Sequence, residues 1–280
     1  MKNQFSVLIS TYKNDKPEFL ALALDSVSEG QTLTPTEIVI VKDGPVSKEI
    51  DWVIERHCKK NVCKNKVIGL QKNVGLGPAL QLGISHCSNE IIFRMDADDI
   101  SVSTRFSEQM SVLKESKADV IGTYVEEFIS DPGKITSCRK VPQTSKNILR
   151  GSKWRNPINH PSVGFYKSKV IAAGGYKSML YFEDYYLWLS MLKDGCKMLN
   201  LPKCLLKMRA GNSQIGRRHG LKYYRYEMNF FLAAMNDGLL TPTVAFSNIV
   251  ARFPIRIVPR PMLVVLYSTF LRERQSSKRR

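Results

Sequence analysis

Short runs of β-forming residues alternate with helix-patterned stretches along the first half of this chain, and that alternation restricts its fold more than any other feature. Phe5–Ser10, Glu37–Val41, Val67–Leu70, Glu90–Met95 and Ala118–Phe128 read as strands. Between them Glu18–Ser28, Lys48–Cys58, Pro78–Cys87 and Thr104–Ser116 carry helical periodicity. Such alternation predicts an α/β domain with a mostly parallel sheet and right-handed crossovers. Beyond Asp131 the rhythm loosens into loops around Pro142, Asn156-Pro157 and Pro161.

In an open α/β sheet the ligand crevice lies at the carboxyl ends of the strands. Four polar clusters fall there: Ser10-Thr11-Tyr12, Asp43-Gly44, Asn73-Val74-Gly75 and Asp96-Ala97-Asp98-Asp99. Each residue type is also common in plain turns, but four such clusters on one rim point to a site. Placing Asp96, Asp98 and Asp99 at one strand exit is unfavourable unless a cation sits among them. Carboxylate oxygens suit Mg²⁺ or Mn²⁺, ions usually shared with substrate phosphates. The run Gly75-Leu76-Gly77-Pro78 lacks the third glycine of a dinucleotide-binding loop, and Pro78 reads instead as the opening of a helix.

Composition sets outer bounds. A 280-residue chain with 43% hydrophobic residues is expected to be globular, as one large domain or one domain with an appendage. No stretch reaches the ~20 apolar residues that span a bilayer, and Met1–Ser10 lacks a signal-peptide core. Six scattered cysteines without metal-binding spacing read as reduced, and hence as cytoplasmic. The net charge is +17, of which +11 lies from Leu206 onward, with 14 Lys/Arg against 3 Asp/Glu. A basic tail of this kind suits nucleic acid, an anionic membrane surface, or solubility alone.

The ordered set "SVLISTY", "VKDG", "NVGLG", "MDADD" and "YFEDYYLWL" resembles family 2 glycosyltransferases with the GT-A fold, over about residues 4 to 225. More narrowly it resembles bacterial members that build O-antigen, capsule or exopolysaccharide units. The resemblance implies a Rossmann-like catalytic domain over 1–220, while residues 221–280, less like the family, are expected to form a helical, basic extension. It implies that Thr11 and Asp43 contact the nucleoside, that Asn73 and Gly75 line the nucleotide pocket, and that Asp96 lies near the ribose or sugar. Asp98 is implied to hold the metal, Mn²⁺ or Mg²⁺, with Asp99 orienting that site, and Asp184 to be the general base, with Glu183 capping the helix or touching the acceptor. The Asn159–Phe165 segment resembles the one that shapes the acceptor pocket, where His160 is either an acceptor or diphosphate contact or a structural residue. In the Gly211–Gly220 stretch, Arg217, Arg218 and His219 are candidate contacts for a diphosphate.

The implied reaction is inverting transfer of a hexose, galactose or glucose favoured, from a UDP-sugar to a polyprenyl-diphosphate-linked saccharide. It requires a base on the face opposite the leaving diphosphate. A sugar-phosphate nucleotidyltransferase is the alternative enzyme, but it calls for a Gly-rich loop after the first strand, and Ser10–Asp15 contains no glycine. A nucleic-acid-binding protein calls for aromatic–basic platforms that are not evident, so no nucleic-acid partner is expected. Leu221, Tyr224, Met228, Phe231, Leu232 and Met235 fall at helical spacing. Beyond Asp237-Gly238, Arg252, Arg256, Arg260, Arg272 and Arg274 intersperse apolar residues, with prolines that rule out one continuous helix. Such pieces suit peripheral attachment to the anionic cytoplasmic membrane face; packing on the catalytic domain is the other reading.

Overall fold

The computed structural model of the chain describes residues 3–210 and 220–257. Its strands are β1 (Ser6–Thr11), β2 (Glu37–Lys42), β3 (Lys64–Gly69), β4 (Ile91–Asp96), β5 (Ile100–Ser101), β6 (Val120–Phe128), β7 (Ile135–Arg139), β8 (Gly164–Tyr166) and β9 (Met198–Arg209). They form one sheet in the order β3-β2-β1-β4-β8-β6-β9-β5, with β7 paired to β6. The β3-β2-β1-β4 half is wholly parallel. The second half is mixed: a long parallel β6–β9 pairing is joined to the first half through short β8, antiparallel to both β4 and β6. The expected α/β class holds, and the unanticipated antiparallel pairings are made by β5, β7 and β8, which are too short to give a clear pattern.

Helices cover both faces because the strands are apolar on both. Val7 and Ile9 of β1 and Ile38 and Ile40 of β2 face one core, together with α1 (Pro17–Val27), α2 (Lys48–Lys59) and α4 (Arg105–Ser116). The alternate residues Leu8, Val39 and Val41 face a second core with α3 (Leu76–His86), α5 (Ser145–Gly151), α6 (Lys167–Ala172) and α7 (Glu183–Lys193). That period-two split is what a strand buried on both faces requires. Strand order reverses between β2-β1 and β4, which opens a crevice at the carboxyl ends of β1 and β4. All six cysteines are free thiols, with Cys138 and Cys204 Sγ 3.1 Å apart.

A third core joins α7 to α8 (Leu221–Asn236) and α9 (Pro242–Ile257) through Phe182, Tyr185, Leu189, Phe230, Phe231 and Ala245. The expected helix at 221 exists, but its buried stripe is Tyr223, Glu227, Phe230, Phe231 and Ala234, not the Leu221–Tyr224–Met228 line. The difference has an ionic cause. Glu227, 1% exposed, accepts from Arg252 Nη1 at 2.9 Å and from Arg256 Nε and Nη2 at 2.8 Å each, so a charged side chain occupies the inner face. Arg252 and Arg256, expected to face a membrane, are thus turned inward to hold α9 on α8. Glu227→Ala is expected to cost about 3–5 kcal/mol in urea unfolding, because it leaves buried Arg256 without its counter-charge. Losing the partner of exposed Lys203 with Glu108→Ala should cost ~1 kcal/mol or less. Among the described residues no helix is long and apolar enough to cross a membrane.

Candidate active site

The rim begins where β1 and β2 end. Asp43 N–H donates to the Thr11 carbonyl at 2.8 Å, keeping the two strand ends level. The Asp43 carboxylate then accepts from Val74 N–H at 2.7 Å, Gly75 N–H at 3.0 Å and the Asn73 amide at 3.0 Å. Gly44 has φ +87°, and a Cβ there would lie 2.6 Å from Asn73 N, so this turn needs glycine. The residues expected to line a nucleotide pocket therefore form one knot with Asp43 at its centre. An ionised carboxylate offers ~four acceptor sites, so Asp43 keeps capacity for a further donor.

Thr11, 1% exposed, donates its hydroxyl to Asp15 at 2.9 Å, and Tyr12 N–H donates to the same oxygen at 3.0 Å. The Asp15 carboxyl is pushed up to about 6, chiefly by burial and further by the charge of Asp96. Asp15 thus adds its charge to that of Asp96 and Asp98, a role that the lack of glycine in Ser10–Asp15 does not reveal. Its signal was an acid within one turn of a strand exit.

Strand β4 delivers the remaining acids. Asp96, Asp98 and Asp99 hold carboxylate oxygens within 4.8 Å of one another. They differ in their partners. Asp96 is gripped by both terminal nitrogens of Arg94, a 2% exposed side chain whose carbonyl accepts from buried Arg105 at 2.7 Å. Asp98 rises to about 6, from burial first and then from the charges of Asp96 and Asp15. Asp99 lies well above the usual carboxylate range for the same kind of reason, burial leading and Asp96 and Asp98 adding. Asp99 Oδ1 accepts from Arg209 N–H at 2.9 Å, while its buried Oδ2 has no partner among the described residues. Arg209 Nε donates to the Asp98 carbonyl at 3.2 Å and its guanidinium lies over Phe19 at 3.6 Å, so the end of β9 closes this flank.

Across the crevice, Glu183 and Asp184 open α7. Gly77 sets the spacing: a Cβ there would meet the Lys177 carbonyl at 2.6 Å and Glu183 Cβ at 3.1 Å, so α3 and α7 approach only because that position has no side chain. Asp184 accepts from the Asn156 amide at 2.6 Å and from Tyr185 N–H at 2.8 Å. Burial raises its carboxyl, opposed by these two bonds and by the charges of Arg94 and Arg139. Glu183 is pushed up to about 7 by burial and then by Asp184. Burial thus outweighs, at both carboxyls, the ionisation that a helix N-terminus ordinarily favours. Buried Arg94, missed in the strand pattern, exerts its charge on Asp96, Asp98, Asp99, Glu183 and Asp184, and thereby links the two walls.

His160 starts a short 3₁₀ turn (His160–Ser162) and shares a 2.7 Å hydrogen bond between Nε2 and the Tyr176 hydroxyl. Burial, with Arg94 adding, lowers its ring well below the usual histidine range, so it is neutral at pH 7 and offers no positive charge to a diphosphate. Arg217, Arg218 and His219 lie outside the described residues.

The raised carboxyls have a consequence for stability. A glutamate whose pKa rises from 4.5 to about 7 on folding stabilises the fold at low pH and loses that contribution as pH climbs through 7. Glu183→Gln should therefore match the wild type near pH 4 and be more stable by roughly 2 kcal/mol above pH 7.5. Urea unfolding of both proteins across that range checks it, and a constant difference would contradict it.

The donor set fits a hard divalent cation. Asp98 and the Asp99 Oδ2, which has no partner among the described residues, would supply oxygen ligands where burial and neighbouring acids outweigh the charge of Arg94. Asp96 is committed to Arg94.

The sequence profile of Glycosyl transferase family 2 matches residues 6–175. The chain is 38% identical over 268 residues to the amylovoran biosynthesis glycosyltransferase AmsE of Erwinia amylovora, covering 94% of this chain and 97% of that protein. It is 34% identical over 270 residues to the Escherichia coli UDP-Gal:alpha-D-GlcNAc-diphosphoundecaprenol beta-1,3-galactosyltransferase, covering 96% and 97%. Two solved structures share the fold. One is the S. aureus TarS fragment 1–349 with UDP-GlcNAc, at TM-score 0.64 and 17% identity over 83% of this chain and 67% of that one. The other is the Pyrobaculum calidifontis mannosyltransferase PcManGT with GDP-Man and Mn²⁺, at TM-score 0.64 and 15% identity over 94% and 79%. The fold is GT-A, and the chain belongs to glycosyltransferase family 2.

Proposed function

We propose that this enzyme is an inverting, divalent-metal-dependent hexosyltransferase, moving galactose or glucose from a UDP-sugar to a polyprenyl-diphosphate-linked saccharide in surface polysaccharide synthesis. The observation that carries the reading is a metal-suited acidic cluster and a paired-carboxyl helix terminus that both feel the charge of buried Arg94. The names of the two relatives support the donor, acceptor and pathway.

In this reading Asp43 accepts the uracil N–H, with Thr11, Asn73 and Gly75 shaping the base pocket, and Asp96, fixed by Arg94, orients the ribose or sugar. Asp98 and Asp99 hold the cation, which when bound neutralises charge developing on the departing diphosphate. Asp184 takes the proton of the attacking acceptor hydroxyl. Its carboxylate is oriented by Asn156 and Tyr185 N–H, and its raised pKa keeps it basic enough to do so. Glu183 lies against the acceptor, and Arg217 and His219 are carried as diphosphate contacts from the family pattern. The extension over 221–280 serves attachment to the inner membrane face, and no nucleic-acid partner is involved.

Incubation with UDP-galactose, UDP-glucose and related donors, Mn²⁺ and a lipid-diphosphate acceptor tests the reading. Release of UDP with a glycosylated product is expected. Pyrophosphate release would point to nucleotidyl transfer instead, and no turnover of any UDP-sugar would overturn the proposal.

A further inference from the structure

Helix α9 is built inside out. Its charged residues, Arg252 and Arg256, point inward to Glu227, while its solvent face carries Phe246 (54% exposed), Val250 (70%) and Phe253 (44%) at one-turn spacing. Between them the exposed residues are Thr243, Ser247, Ala251 and Pro254, so this face carries no charge at all. A solvated surface helix has the reverse pattern, and a contiguous exposed apolar face marks an interaction site.

The surroundings of the stripe identify its partner. The Lys153–Arg155 segment runs beside α9, tied by Asn248 Nδ2 to the Lys153 carbonyl at 2.9 Å and by Arg252 to the Trp154 carbonyl. On the other side the start of α8 is tied by Gly220 N–H to the Arg256 carbonyl at 3.2 Å and by the Tyr224 hydroxyl to the Ile249 carbonyl at 3.1 Å. These flanking segments carry exposed Trp154 and Leu221 together with exposed Lys153, Arg155, Lys222 and Arg225. Beyond α9 the sequence continues with the apolar run Pro261–Leu271 and then Arg272, Arg274, Lys278, Arg279 and Arg280. Phe and Trp flanked by Lys and Arg suit the boundary between acyl chains and anionic headgroups, where rings sit at the interface and cations meet phosphate.

We infer that the outer face of α9, with Phe246, Val250 and Phe253 as inserting residues and Lys153, Arg155, Lys222 and Arg225 as headgroup contacts, docks the enzyme on an anionic lipid bilayer. The attachment is by apolar insertion, and Arg252 and Arg256 act on it only by holding the helix. The helix on which α9 packs also touches the start of α7. Phe230 of α8 stacks on Phe182 at 4.9 Å and lies against Tyr185 at 4.7 Å, at the very terminus of α7 that bears Asp184. The inference deepens the proposed function, since a lipid-linked acceptor is reached from a membrane surface, and to that extent it rests on that reading.

The test is flotation of the full chain with phosphatidylethanolamine vesicles containing phosphatidylglycerol, comparing wild type with the Phe246→Glu, Val250→Glu, Phe253→Glu triple variant. Wild type is expected to float, and the triple variant to bind at least ~10-fold more weakly with UDP release on a short soluble acceptor unchanged. Val250→Asp alone, at the most exposed position, carries the test should the triple variant misfold. Wild type that ignores the vesicles at low salt overturns the inference. So does a variant that floats as well as wild type, or light scattering that shows a wild-type dimer split by the substitutions, which would assign the face to a second copy. Flotation involves no transfer, so loss of the glycosyltransferase reading leaves this result standing, and the reverse also holds.

Discussion

Asp98→Ala is expected to lower kcat/KM for transfer by ~10³-fold or more and, at the same time, to make the cation-free protein more stable. The two effects share one cause. Asp98 is partly buried among Asp96, Asp99 and Asp15, and its carboxyl rises to about 6 because burial and neighbouring acids outweigh the charge of Arg94. A raised carboxyl stabilises the fold at low pH and loses that contribution as pH climbs through 6. At pH 7.5 the ionised side chain therefore costs on the order of 2 kcal/mol, which alanine removes. A bound divalent cation reverses the balance, so Mn²⁺ should raise the wild-type Tm more at pH 7.5 than at pH 5, and raise that of the variant far less. Chelator should abolish wild-type transfer, and Mn²⁺ or Mg²⁺ should restore it. Full turnover in excess EDTA, or a variant both active and less stable, would remove Asp98 and the cation from the account.

Asp184→Asn should lower kcat by ~10²–10⁴-fold with the donor KM nearly unchanged. The substitution keeps the size of the side chain and its acceptor oxygen, but it removes the group that takes the acceptor proton. Glu183→Gln serves as the comparison. Glu183 is pushed up to about 7 and is half protonated at neutral pH, so its loss should change acceptor KM more than kcat. Steady-state kinetics with donor and acceptor varied separately decide between them. If Asp184→Asn retains near-wild-type kcat while Glu183→Gln loses it, the base is Glu183.

The first half of the fold was legible because its signals are local. Apolar strands such as Glu37–Val41 and the acids at their exits lie next to each other in sequence, and the parallel topology then brings the exits together. Three features were not legible, two because they join residues far apart in the chain and one because a strand pattern does not show what a side chain pairs with. The knot at Asp43 joins that side chain to Asn73 and Gly75, some 30 positions on. Arg94 reads simply as part of the strand Glu90–Met95, and only the folded chain shows its pairing with Asp96. The inner face of α8 was misplaced because Glu227 reads as solvent-facing until Arg252 and Arg256 arrive from α9. The asparagine that orients Asp184 and the tyrosine that binds His160 also come from loops without pattern, where only the folded chain shows the pairing.

The central claim is that a hydroxyl, deprotonated at Asp184, attacks a UDP-hexose from the face opposite the diphosphate. The configuration of the new glycosidic bond tests it most directly. NMR of the product formed from an α-linked UDP-hexose and a soluble diphosphate-linked saccharide should show a β-linkage, with one UDP released per bond formed. An α-linked product, or a β-linked one formed at undiminished rate by Asp184→Asn, would contradict it.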